Sequence, residues 1–284
     1  MDQKQVLKNF EKDGFVIIKN VFSLDEIENI RKSCEKLRQG TEEILPADNF
    51  SYDEIREFIL DERVLRYIRL VLGPKLVYFG ESSASFDAHS APHFHKDARG
   101  DSVDPQQNDY PVIRMGVYLQ NHKNHSGGLK VRVGSHRHVH LIRRNFKKLF
   151  KSKKEERLKL SSFKVGKSYN LPIEAGDLAI WSLRTDHSPN AVRLKIAPNL
   201  SVNPKIEPLI PNFMRIPEDK PRVVLFNTFG VDHELHDNYL NQRINKIGRA
   251  RWLNSSFDSP EAKKLCEKHG IALRFDGLTN AQKG

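Results

Sequence analysis

Cysteine is nearly absent from this chain, and its scarcity sets the first limits. Two cysteines in 284 residues, Cys34 and Cys266, exclude a disulfide-stapled scaffold and every zinc-binding spacing. A reduced, cytoplasmic setting is expected, with one Cys34–Cys266 disulfide left open. Long apolar runs are missing too: none approaches the roughly 20 residues that a membrane span needs, so no transmembrane segment is expected. The opening stretch from Met1 to Phe10 has no apolar block of the secretory kind. No repeat period and no linker divide the chain, which we read as one domain over 1–284.

What the chain has is ordinary except in one place. Hydrophobic residues make up 38% and charged residues 29%, the composition of a globular protein with a sizeable core. The net charge of +11 is concentrated: residues 129–167 hold fourteen Lys/Arg against two acids, Glu155 and Glu156. That segment alone carries +12 and leaves the remainder near neutrality. It is a solvated face or lid, or a surface for an anionic partner. Its aromatic content (Phe146, Phe150, Phe163) is thin for base stacking, which argues against nucleic acid.

The order of elements favours a β fold with helical flanks. Residues 15–22 are β-branched and predict a strand. Ser23 then opens a helix over 24–37, with Glu26 placed to close a capping box. Residues 50–72 repeat apolar positions at spacings of three and four (Ile55, Phe58, Ile59, Val64, Leu65, Ile68) until Gly73-Pro74 stops them. From Leu76 the texture changes to short strands at 76–79, 112–120, 129–133, 177–181 and 222–229. A short helical core is expected around Phe146, Leu149 and Phe150. The proline-dotted stretch 194–221 cannot be a regular helix. A last helix is expected over 260–269. Helices followed by many short strands predict a mainly β fold, an antiparallel sandwich or barrel over about 75–230. N-terminal helices and a helical C-terminal segment should flank it.

Within that frame one tripeptide stands out, His95-Lys96-Asp97. Side chains at i and i+2 of an extended chain share a side, so His95 and Asp97 can aim at one ion. A second histidine from a distant strand, His187, would complete the 2-His-1-carboxylate set that leaves open positions on non-haem Fe(II). With twelve histidines in the chain a chance H-x-D is common, and the tripeptide alone decides nothing. Context adds weight. His187 follows the strand of Gly176-Asp-Leu-Ala-Ile-Trp, and Arg222 opens Arg-Val-Val-Leu-Phe, where a guanidinium can grip a dicarboxylate in a two-point fork.

These pieces in this order resemble the phytanoyl-CoA dioxygenase-like Fe(II)/2-oxoglutarate oxygenases, from about Phe10 to Phe229. The resemblance rests on Asp13-Gly-Phe-Val-Ile-Ile, the H-x-D at His95, Gly127-Gly-Leu-Lys-Val-Arg-Val-Gly-Ser-His136 (with Val133 where the family has proline), Gly176-Asp-Leu-Ala-Ile-Trp before His187, and Pro221-Arg222-Val-Val-Leu-Phe. It implies a double-stranded β-helix (jelly-roll, cupin-like) core over about 75–230, His95, Asp97 and His187 as Fe(II) ligands and Arg222 as partner of the distal carboxylate of 2-oxoglutarate, with O2 as co-reactant and no catalytic side chain beyond the ligands. The family's arginine usually follows the distal histidine by about ten residues, whereas Arg222 lies 35 on. Arg193 is therefore the runner-up, with Arg184 also nearer, and 194–221 becomes an insertion at the barrel mouth. Related halogenases lack the carboxylate, so Asp97 points to hydroxylation with release of succinate and CO2.

Around this set, Glu81, Ser83 and Ser85 enter the H-x-D loop and are candidate cosubstrate or substrate contacts. Arg99 is a candidate for an anionic substrate group, or for pairing with Asp101 or Asp104. His89 and His93 have the wrong spacing for ligands, His136 belongs to the Gly-Ser-His turn, and His138 and His140 read as polar strand-end residues. The expected substrate is an anionic small or carrier-bound molecule. The rival reading is an inactive cupin-like protein that uses its basic segment to bind an anionic polymer or lipid surface. A retired site would be expected to have lost a ligand, and this one has not.

Overall fold

The computed structural model describes residues 2–38, 43–44, 52–86, 93–98, 111–137, 167–247 and 260–273. Among the described residues ten strands form two sheets. The strands are β1 (Phe15–Ile18), β2 (Glu43–Ile44), β3 (Leu76–Phe86), β4 (Val112–Tyr118), β5 (Gly128–Arg132), β6 (Ser168–Asn170), β7 (Leu178–Ser182), β8 (His187–Ala191), β9 (Val223–Gly230) and β10 (Ile271–Leu273). The large sheet runs β1-β7-β4-β9-β3-β10 with β2 also paired to β3, and the small sheet runs β6-β5-β8. Every pairing is antiparallel except β10 with β3. This is the expected double-stranded β-helix.

Strand alternation divides the core into two layers. On β4, Ile113, Met115 and Val117 join the apolar layer beneath the helices, while Tyr118 joins the layer between the sheets. Ala179 and Trp181 of β7, Val224 of β9 and Leu129 and Val131 of β5 also face inward. The large sheet is buried on both faces, which is why its strands read as near-continuous apolar runs.

Helices α1 (Gln3–Asp13), α2 (Leu24–Leu37), α3 (Asp53–Ile59) and α4 (Glu62–Leu72) supply Val6, Ile27, Ile30, Ile55, Val64, Leu65 and Ile68 to the outer layer. The Ser23 capping box forms as expected: Ser23 Oγ accepts from the Glu26 N–H at 3.3 Å, and the Glu26 carboxylate accepts from the Ser23 N–H at 2.8 Å. Such a cap stabilises a helix by about 1 kcal/mol. Arg63 of α4 bonds the same carboxylate at 2.7 Å and holds Glu26 at about 2. The periodic stretch 50–72 is two helices rather than one, because Asp61 accepts from the Arg63 N–H at 2.7 Å and begins a second.

Three elements carry too little pattern to be read in advance. Helix α1 and helix α5 (Glu234–Ile247) are mostly polar, and β8 interrupts its run with Pro189. Helix α6 (Pro260–Lys268) lies where a helix is expected. Both cysteines are free and buried, so no disulfide joins them, and burial pushes each thiol up to about 12. Among the described residues no helix is long and apolar enough to cross a membrane. The helical core expected around Phe146, with most of the basic segment, lies outside the described residues.

The stretch 194–221 forms no regular α-helix, as expected, and part of it covers the outward side of the small sheet. Lys130, pointing away from the barrel interior, reaches the Val202 carbonyl and the Glu207 carboxylate, and Glu207 also accepts from the Val192 N–H at 2.8 Å. Ser126 Oγ donates to the Ile216 carbonyl at 2.5 Å. A fully buried lysine demands a carboxylate, and the insertion supplies it.

Candidate active site

His95 and His187 stand opposite one another across an isolated antiparallel bridge, each N–H donating to the other's carbonyl at 2.9 Å. Directly opposed residues project to the same side, and the two ring centroids are 4.4 Å apart. Lys96 turns away and donates to the Ser135 carbonyl at 2.7 Å. Asp97 therefore returns to the histidine side. Its Oδ1 lies 3.9 Å from His95 Nε2 and its Oδ2 lies 3.5 Å from His187 Nε2. One donor atom from each residue falls within 4.8 Å of the others.

The protonation pattern suits a cation. His187 Nδ1 lies 3.0 Å from the Thr185 carbonyl, so Nδ1 carries the proton and Nε2 presents its lone pair toward Asp97. Burial first, and then neighbouring His187, lower His95 to about 4, which keeps that imidazole neutral near pH 7. Two imidazole Nε2 atoms and a carboxylate facing one point fit a divalent metal ion.

Arg114, on the inner side of β4, was not singled out by the sequence. Its Nη1 donates to Asp97 Oδ2 at 3.2 Å and its Nε donates to Thr228 Oγ1 at 3.2 Å. The available signal was a charged residue in the clearest alternating strand, in register with the inward-facing Trp181.

From the histidines a row of rings leads along the barrel interior. Trp181 lies 5.7 Å from His187, Phe226 lies 6.0 Å from Trp181, and the Arg222 guanidinium lies 5.7 Å from the Phe226 ring. Gly116 makes room for them: a Cβ there would come within 3.2 Å of Phe226 and 3.3 Å of Trp181. Trp181 Nε1 is buried without a hydrogen-bond partner among the described residues.

Arg222 immediately precedes β9 and is buried. Its Nη1 donates to Ser85 Oγ at 2.9 Å. The backbone is fixed on both sides of it. Arg31 donates to the Pro221 carbonyl at 2.6 Å, and the Val223 N–H donates to Gln120 Oε1 at 2.8 Å. Tyr118 is beside it, its phenol pushed up to about 12 by burial against the opposing pull of the Arg222 charge. His122, held at about 4 chiefly by burial, braces Gln120 at 2.7 Å from below.

Arg193 is also buried, but differently. Its Nε donates to the His122 and His125 carbonyls at 3.0 and 3.2 Å, Nη1 to Pro198 at 3.0 Å and Nη2 to Asn170 at 3.4 Å. It is a strut between loops. Arg184 is buried in the turn between β7 and β8.

Ser83 is half-buried and pairs with Phe226, so it shares the inner side with Ser85. Glu81 contributes backbone to β3, its side chain lying outside the described residues, and Arg99 lies outside them altogether. His93 is exposed. His136 is structural: its Nε2 meets the Glu11 carbonyl at 3.0 Å. Its Nδ1 would be only 2.3 Å from a Cβ at Gly14, where φ is +82°, so the Asp13-Gly-Phe motif and the Gly-Ser-His turn are two halves of one contact.

No family model matches the chain. Ectoine dioxygenase from Stutzerimonas stutzeri (strain A1501) is 25% identical over 153 residues, covering 47% of this chain and 50% of the relative. The match thus spans half the length of that relative. HygX from Streptomyces hygroscopicus, solved with nickel and 2-oxoglutarate bound, superposes with a TM-score of 0.52 at 17% identity over 81% of this chain and 87% of that one. The epimerase SnoN from nogalamycin biosynthesis, in complex with Fe3+, alpha ketoglutarate and nogalamycin RO, gives 0.52 at 14% identity over 81% and 83%. The fold is that of the non-haem 2-oxoglutarate-dependent oxygenases. The fold expected from the motifs is borne out, and in it His187 opens β8 while Arg222 immediately precedes β9.

Proposed function

We propose that this protein is an Fe(II)/2-oxoglutarate-dependent dioxygenase, with His95, Asp97 and His187 as the metal ligands and Arg222 as the cosubstrate anchor. The observation that carries this reading is the convergence of two imidazole Nε2 atoms on the two oxygens of Asp97. Bound Fe(II) and 2-oxoglutarate would supply the oxidising chemistry with O2, releasing succinate and CO2. The chain supplies geometry. Thr185 fixes the His187 tautomer, Arg114 orients Asp97, and Arg222 with Ser85 offers a carboxylate-binding corner at the far end of the Trp181–Phe226 row. Arg222 is preferred over Arg193 because the four carbonyls around Arg193 already occupy its guanidinium.

The outcome we assign is hydroxylation of a C–H in an anionic small or carrier-bound substrate, since Asp97 occupies the position that a halogenase needs vacant. The segment with fourteen cations and two acids follows the Gly-Ser-His turn and supports the anionic character. Two buried free thiols suit a cytoplasmic setting. The deciding experiment is aerobic incubation with Fe(II) and 2-oxoglutarate, reading succinate with and without candidate substrates. Near-normal uncoupled decarboxylation by His187→Ala would overturn the ligand assignment. Tight binding of anionic polymers with no succinate from the unaltered protein would favour the inactive binding protein.

A further inference from the structure

The insertion 194–221 turns Glu207 and Arg215 inward and projects five large apolar side chains, with Lys195, Lys205, Glu218, Asp219 and Lys220 also exposed. Glu207 is buried against Lys130, and the Arg215 guanidinium donates to the carbonyls of Ile210 at 2.7 Å and Glu207 at 3.0 Å. Ile196, Leu200, Ile206, Leu209 and Phe213 are 82%, 55%, 52%, 78% and 75% exposed, whereas only two other large hydrophobics among the described residues, Leu24 and Tyr169, are exposed. Scattered exposed apolar residues need no explanation; five within eighteen positions do.

The backbone holds these groups together. The Leu194–Arg215 bridge and the Lys195 N–H donating to the Met214 carbonyl at 3.0 Å bring Ile196 beside Phe213. Ile206 and Leu209 flank one 3-10 turn, closed by a 2.9 Å bond between them, and Arg215 ties that turn to the same strand pair. From 194 to 216 the exposed charges are Lys195 and Lys205 and the acid is the buried Glu207; the exposed acids Glu218 and Asp219 follow at the end of the insertion, where Asp219 accepts from Asn121 at 2.9 Å.

We propose that this insertion is a docking surface for an anionic lipid bilayer, entering the headgroup boundary with its apolar tips while Lys195 and Lys205 meet the lipid phosphates and carboxylates. Apolar insertion plus cation attraction is the combination that seats proteins at a membrane interface. A soluble acidic partner would not need five projecting apolar groups. A second copy of this chain would bring the same two lysines against each other. The proposal is independent of the metal and cosubstrate assignments.

The test uses the full chain and vesicles of phosphatidylcholine with and without phosphatidylserine, read by co-sedimentation and by light scattering of the protein alone. Binding is expected to the anionic vesicles and to be much weaker for the neutral ones. Lys195→Glu and Lys205→Glu should each weaken binding by about fivefold or more. Leu209→Ser with Phe213→Ser should abolish it, with thermal stability unchanged because both side chains are exposed. No sedimentation with either vesicle, or equal binding by the Leu209→Ser/Phe213→Ser protein, would overturn the proposal. So would a concentration-dependent dimer that those substitutions dissolve in the absence of vesicle binding, which would make the surface a self-interface.

Discussion

The barrel interior and the outward side of the small sheet both bury cations, and they treat them in opposite ways. Outside, Lys130 is matched by Glu207 of the insertion, and Arg193 by four carbonyls from the His122, Asn170 and Pro198 segments, so each cation is consumed in holding chain segments together. Inside, Arg222 meets a serine hydroxyl, a phenol and a ring, and Arg114 steers a carboxylate that faces two histidines. Burial therefore does not distinguish a strut from a site. The described partners differ: carbonyls and a dedicated carboxylate hold Arg193 and Lys130, whereas a hydroxyl, a phenol and a ring stand among the partners of Arg222.

The contrast breaks first at the ligands. His95→Ala, Asp97→Ala or His187→Ala should abolish succinate formation and most Fe(II) binding while the circular dichroism spectrum and Tm stay near those of the parent, checked on metal-free protein. A large loss of Tm instead would make the triad a core feature like Lys130.

On the outward side, Lys130→Met should leave Glu207 buried and unpaired and cost on the order of 3–5 kcal/mol of stability, seen in denaturant titration. The double change Lys130→Met with Glu207→Met should recover most of it. Neither should alter the KM for 2-oxoglutarate.

Arg222→Ala should do the reverse. Loss of a desolvated, charge-assisted contact costs on the order of 2–5 kcal/mol of binding, read as a steep rise in the 2-oxoglutarate KM with Fe(II) affinity nearly unchanged. Arg193→Ala should lower Tm and spare that KM. If the two arginines exchanged these signatures, the comparison would be inverted.

Histidines sharpen the contrast through pH. Burial holds His122 and His136 at about 4, below the ordinary 6.5, so the unfolded chain binds more protons between those values. The stability they contribute is whole above about pH 6.5 and is lost as pH falls toward 4, on the order of 1 kcal/mol or more for each. The Tm of metal-free protein should drop across that window, and His136→Gln should flatten the slope.

The smallest effect concerns the basic segment. Attraction to an anionic substrate is screened within about 8–10 Å at physiological salt. Substrate KM should rise with ionic strength while kcat changes little. Joint neutralisation of Lys147, Lys148, Lys151, Lys153 and Lys154 should mimic high salt. A KM indifferent to both would reduce the segment to a solvated surface.

Much of the fold was legible because alternation and capping are local. Ile113, Met115 and Val117 announce a strand, and Ser23 with Glu26 announces a helix, whatever surrounds them. Polar helices such as Glu234–Ile247 and the proline-broken strand His187–Ala191 carry weaker local signals. The division of 50–72 turned on one side chain, Asp61, taking the cap in place of an unbroken helix. Arg114 was legible only as an oddity, since its meaning depends on where Asp97 comes to rest.

The sequence by itself suggested the class of chemistry: an H-x-D pair, a distant histidine and an arginine ahead of an apolar strand are residue types and orders that need no coordinates to suggest a metal and a dicarboxylate. Tertiary structure alone decided which arginine faces the interior. A spacing of 35 residues says nothing about distance when 194–221 folds away over the small sheet and returns the chain to β9. It also decided that Glu207 turns inward while the apolar tips stay outside, because the buried Lys130 on the neighbouring strand fixes where Glu207 must go.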